Sequence, residues 1–119
     1  MPILRIINYR NTATIIFKSC RRTAANVLTG GVTQSFTFDM RSELGPGYKN
    51  YTSKHFSNFN ISYTNLVSAE GQLFGVQKQG HSYNPETGIL TVSAWASSGD
   101  PDYTVTFTYI FDFTLICLE

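Results

Sequence analysis

The sequence predicts an all-β fold, an antiparallel β-sandwich of jelly-roll-like kind with seven to eight strands. Apolar residues recur with a period of two, turn-forming residues punctuate the chain at intervals of roughly 8–15, and no segment has the period of a long amphipathic helix. At 119 residues there is room for one domain, 1–119, because a chain of this size buries about two-thirds of the surface its unfolded form exposes.

Residues 4–9 and 12–17 form two strands at the front, and only 21–28 could hold a short helical turn. From Val32 to Met40 the residues Val32, Gln34, Phe36, Phe38 and Met40 share one face. Leu44-Gly45-Pro46-Gly47 is a break, and Phe56, Phe59, Ile61 and Tyr63 mark a middle strand. A strand over 72–83 leads into the turn Tyr83-Asn84-Pro85-Glu86-Thr87-Gly88, because proline presets φ for a bend and glycine tolerates positive φ at its exit. Leu90, Val92, Ala94 and Ala96 then form a core face with Trp95 opposite. Ser97-Ser98-Gly99-Asp100-Pro101-Asp102 is a loop that makes a hairpin of the last two strands. In the last strand Tyr103, Val105, Phe107, Tyr109, Phe111, Phe113 and Leu115 form one largely aromatic face.

Only 14% of the residues are charged, so Thr, Ser, Asn and Gln must supply the polar surface. Such a surface repels copies of itself weakly, which suits a protein packed against neighbours. The apolar run after Met1 is broken by Arg5 and too short for a signal peptide, and the Tyr103–Leu118 stretch alternates with Thr and Asp112. The expectation is synthesis in the cytoplasm with no membrane span.

Charge is uneven along the chain. Residues 1–41 carry six basic residues against Asp39, a net of +5, and residues 42–119 carry three lysines against seven acids, a net of −4. If the two portions take different sides of the fold, Arg21 and Arg22 belong to a basic face that docks on an acidic partner; if the strands interleave, the charges mix. A net charge of +1 argues against a dedicated nucleic-acid binder.

No nucleophile elbow, Walker loop, dinucleotide fingerprint or HExxH motif is present, and no cofactor is expected. His55 and His81 read as surface histidines. Asp100 and Asp102 flank Pro101 and offer two carboxylates where calcium needs six or more oxygens. Cys20 and Cys117 read as two thiols, or as a bridge closing nearly the whole chain outside the cell. Trp95 is covered by another subunit, stacked on a sugar, or in the core with the strand faces reversed. Tyr48, Tyr51 and Tyr83 lie in turn-rich segments, where a flat ring with a polar tip suits an interface.

Gly47-Tyr48-Lys49, Ser82-Tyr83-Asn84 with Gly88-Ile89-Leu90-Thr91-Val92, and Thr104-Val105-Thr106-Phe107-Thr108-Tyr109-Ile110 resemble the closing half of small β-sandwich domains in phages of Gram-positive bacteria. Such domains occur in capsid decoration proteins, head fibres and tail-tip receptor-binding proteins, and residues 47–116 carry the likeness. The arrangement is also similar to H-type lectin domains, trimeric sandwiches ending in a long alternating strand. The resemblance implies a virion structural protein that acts by assembly, as a homo-oligomer such as a cyclic trimer or with other virion proteins, and by host attachment. Trp95 and the tyrosines support the alternative, a lectin-like module on a cell-surface glycan.

Overall fold

A computed structural model of the chain describes residues 3–7, 14–67 and 72–118, with side chains from residue 15 onward. In chain order these form β1 (Ile3–Ile7), β2 (Thr14–Thr29), β3 (Gly31–Asp39), the single-turn helix α1 (Arg41–Leu44), two 3₁₀ turns (Gly45–Asn50 and Ser53–His55), β4 (Phe56–Val67), β5 (Phe74–Asn84), β6 (Ile89–Ser97) and β7 (Thr104–Cys117). The strands make two antiparallel sheets of order β1-β2-β7-β4 and β3-β6-β5. Among the described residues six strands, three to a layer, form the sandwich itself, fewer than the expected seven to eight, and the seventh, β1, is a five-residue extension along the first part of β2. Of the expected front strands, residues 8–13 lie outside the described residues.

The winding follows from one long ribbon. β2 pairs with β7 and β3 pairs with β6, so β2–β3 runs antiparallel to β6–β7. The ribbon folds over at Gly30, which has φ +70°, and at Ser98, and β4 and β5 then add to the far sides of β7 and β6. This gives the jelly-roll-like layering. The 97–102 loop therefore does not close a hairpin, because β6 and β7 belong to different sheets. Ser98 holds the crossing: its N–H donates to the Gly30 carbonyl at 3.1 Å, its Oγ accepts from Gly30 N–H at 2.9 Å, and its hydroxyl donates to the Asp100 carbonyl at 2.9 Å.

The alternating faces meet as expected. Leu90, Val92, Ala94 and Ala96 of β6 and Val105, Phe107, Tyr109, Phe111, Phe113 and Leu115 of β7 are all buried. Small side chains on β6 leave room for the rings of β7, so the two layers interdigitate. Phe36 meets Tyr109 edge-on with ring centroids 5.1 Å apart, and Asn26 donates to Gln34 Oε1 at 2.6 Å between the layers.

Residues 21–28 are extended rather than helical. They lie within an unbroken register from Ile16 opposite Cys117 to Thr29 opposite Thr104, and that ladder overrides the local preference of Ala24 and Ala25. Helical turns fall instead in 41–55, where the sequence indicated a break. This segment covers the part of β2 and β7 that the nine-residue β3 and β6 do not reach, and it buries Leu44 and Tyr51 there. Among the described residues, no helix is long and apolar enough to cross a membrane.

Candidate functional site

Trp95 lies on the outer face of the β3-β6-β5 sheet, between Thr33 and Gln77 in register. The strand faces are therefore as expected, and Trp95 is not core. Its ring is half-buried because it lies against two glycines: a Cβ at Gly31 would stand 3.2 Å from Trp95 Cζ2, and one at Gly75 would overlap the ring. Gly75, at φ +62°, sits in a bulge between Phe74 and Gln77. Phe74, 50% exposed, covers Gly99 at φ +85° in the same way. Two aromatic rings thus lie on bare backbone near the chain-crossing end of the sandwich.

The tyrosines behave differently. Tyr83 is 6% exposed and Tyr51 4%, so neither offers its ring to a partner, contrary to the expectation. Tyr83 points inward beside Leu90, with its ring centroid 5.2 Å from that of Phe56, and its hydroxyl donates to the Tyr48 carbonyl at 2.7 Å. Tyr51 closes the far end, where its oxygen accepts from Leu118 N–H at 2.8 Å. Tyr48 is half-buried against Gly88.

The charges mix. Because β2 pairs with β7, Arg21 forks onto Asp112 at 2.7 and 3.0 Å on the outer face. Lys18 and Arg22 point inward and meet Glu43 of α1 at 2.5 and 3.4 Å, while Arg41 binds Asp39 at 2.6 Å. The hydrogen bond from Lys18 holds the Glu43 carboxyl below its ordinary range, and those from Arg41 hold Asp39 down at about 2. The expected basic face is thus neutralised at Arg21 and Arg22. Arg5, Arg10, Glu70 and Glu119 lie outside the described side chains.

The remaining reactive groups are engaged structurally. His55 is half-buried and its Nδ1 accepts from Thr52 N–H at 2.9 Å, capping the second 3₁₀ turn. His81 donates from Nε2 to the Ser53 carbonyl at 3.0 Å and packs at a tilt against Phe59, so neither imidazole is a free surface group. Cys20 faces inward opposite Phe113, four residues along β7 from Cys117, a strand rise of about 13 Å that rules out a bridge. Burial pushes both thiols up. Asp100 Oδ1 accepts from Asp102 N–H at 2.8 Å, an ordinary turn, and among the described residues no three metal-ligating side chains gather.

A feature the sequence did not single out is the outer face of the β1-β2-β7-β4 sheet. Its rows run Thr29 and Thr104; then Val27, Thr106 and Val67; then Ala25, Thr108 and Thr64; then Thr23, Ile110 and Ser62. No charge enters until the self-paired Arg21 and Asp112, and Val27 and Val67 are 56% and 68% exposed. The signal was present in the Thr104-x-Thr106-x-Thr108 alternation, but the rows from β2 and β4 come from long-range pairing. Against protein-family models, curated proteins and solved structures alike, the chain has no match.

Proposed function

We propose that the chain is a structural component of a phage particle, a capsid-decoration, head-fibre or tail-associated protein that works by packing against copies of itself or other particle proteins and by contact with the host surface. The uncharged rows of Thr, Ser, Ala and Val on the outer face of the larger sheet carry this reading. Interface cores are depleted of charge, since an unpaired charge buried there is costly, whereas hydroxyls and small apolar groups can be covered cheaply. The resemblance of residues 47–116 to small phage sandwiches supplies the setting. Its test is the composition of density-purified particles from cells making the phage that encodes the chain. Peptides of the chain should be present at a copy number comparable to a coat or tail protein; their absence from particles would end the virion reading.

One observation favours a second reading, a glycan-binding module. Trp95 presents a half-exposed ring on glycine backbone, the kind of aromatic platform on which a sugar can stack. Quenching of Trp95 fluorescence by members of a cell-surface glycan panel would support it, and a panel without effect would remove it.

A further inference from the structure

The free edges of the two sheets are not alike. β4 breaks register between Ser57 and Asn60 and again between Thr64 and Val67, with positive φ at Asn58 and Asn65. β5 breaks between Phe74 and Gln77 and between Lys78 and Gly80, and it turns Lys78 inward over Phe59. Bulges and inward charges are the devices that keep an edge strand from pairing with another chain. β1 is only five residues long. β3 has none of these protections. It keeps unbroken register with β6 from Gly31 to Asp39, and among the described residues no strand pairs with its other side. Its inward residues Val32, Gln34, Phe36 and Phe38 are only half-buried, although they belong to the core face.

We infer that two copies of the chain join edge to edge along β3, antiparallel about a two-fold axis, so that one sheet runs through both. This rests on the reading of the chain as an assembling protein and names the contact. A second copy suits β3 because the strand is self-complementary when centred on Ser35. Thr33 then faces Thr37 of the second copy, Ser35 faces itself, Val32 faces Phe38, Gln34 faces Phe36, and Asp39 meets Gly31, so no like charges oppose. Hydroxyl pairs of this kind already hold strands within the molecule, with Ser35 2.8 Å from Ser93 and Thr29 2.7 Å from Thr104. The stretch of β2 layered under β3, where Asn26 reaches Gln34, turns the small Ala24 inward, which leaves room for a partner's strand. Such a contact is isologous and consumes the β3 edge of both copies, so it closes at two chains instead of growing a fibre.

The test is sedimentation of the full chain and three variants across a dilution series. Wild type should run as a two-chain species. T33K/T37K places two lysines opposite each other at both of the Thr33–Thr37 contacts and should weaken the association by about tenfold with an unchanged circular dichroism spectrum. T33K/T37E, of the same bulk, sets lysine against glutamate at both contacts and should restore it. Ser35→Cys should give a disulfide-linked pair of chains under mild oxidation even if the charged variants fold poorly. A wild-type chain that associates while neither charge pattern alters the contact and the Ser35→Cys thiol fails to capture it overturns this inference and leaves assembly standing. A wild-type chain that stays single at every concentration overturns this inference and self-association with it, while packing against other particle proteins is decided by the composition of the particles.

Discussion

Trp95 fills the space that a side chain at Gly75 would need, and the backbone at Gly75 takes φ +62° to keep the ring in place. Gly75→Ala therefore meets both strain and a clash, and it should cost more than about 1 kcal/mol. Trp95 is the one tryptophan in the chain, so its emission reports the change directly. The variant should unfold earlier and emit at longer wavelength as the ring is lifted into water. Unchanged emission and stability would mean that Trp95 does not rest on β5.

Phe107 is buried among aromatic neighbours, edge-on to Tyr109 with centroids 4.6 Å apart. Phe107→Ala should cost about 3–5 kcal/mol through lost burial and an unfilled cavity. Denaturant unfolding measures it, and a loss below about 1 kcal/mol would mean that the aromatic face of β7 is not the core.

Tyr109 lies at the middle of that face with a buried hydroxyl that finds no hydrogen-bond partner among the described residues. Burial raises its pKa from 10.0 to about 12. A group raised in the folded state stabilises fully below its unfolded value, and the contribution is lost as the pH climbs toward the folded one. Wild-type stability should therefore decline between about pH 10 and 12, and Tyr109→Phe should lack that part of the decline. Removing an unsatisfied buried hydroxyl should also raise stability at neutral pH by about 1 kcal/mol or more. A clear loss of stability would show that the hydroxyl is bonded.

Glu43 ties α1 to β2 through Lys18 and Arg22. Its carboxyl is held below 4.5, chiefly by the Lys18 hydrogen bond, so its contribution is present above that value and is lost as the pH falls through the folded one. Melting temperature measured from about pH 6 to pH 3 should fall less in Glu43→Gln than in wild type. Equal slopes would remove Glu43 from the acid response of the fold.

Much of the architecture was legible because the alternation on β3, β6 and β7 is strict, and a period of two leaves only the choice of which face is buried. The alanines and leucine of β6 favoured one choice, with Trp95 outside, and the place of Trp95 between Thr33 and Gln77 on the outer face decides it. Topology was less legible. Ser97–Asp102 announces a bend, but the same turn residues serve a hairpin or a crossing between sheets, and Ser98 decides through its bonds to Gly30, far away in sequence. Tyr83 was misplaced because it borders the 84–88 turn and reads as part of it, and only the pairing opposite Leu90 shows that it still points into the core. The charge asymmetry was real in sequence, but among the described residues Lys18, Arg21 and Arg22 are offset by acids of the later portion, Arg21 meeting Asp112 across a separation of 91 residues. Of the candidate site, only the outward Trp95 and the threonine period of β7 could be read locally.

Assembly is the claim on which the functional reading depends, and the mass of the chain in solution tests it most directly. Sedimentation equilibrium from about micromolar to near-millimolar concentration, at low and high salt, should show reversible association. That association should change little with salt, because Arg21 and Asp112 on the outer face of the larger sheet pair with each other and the contacts available there and along β3 are hydroxyl and apolar. A single 13.3 kDa species at every concentration and salt would contradict it.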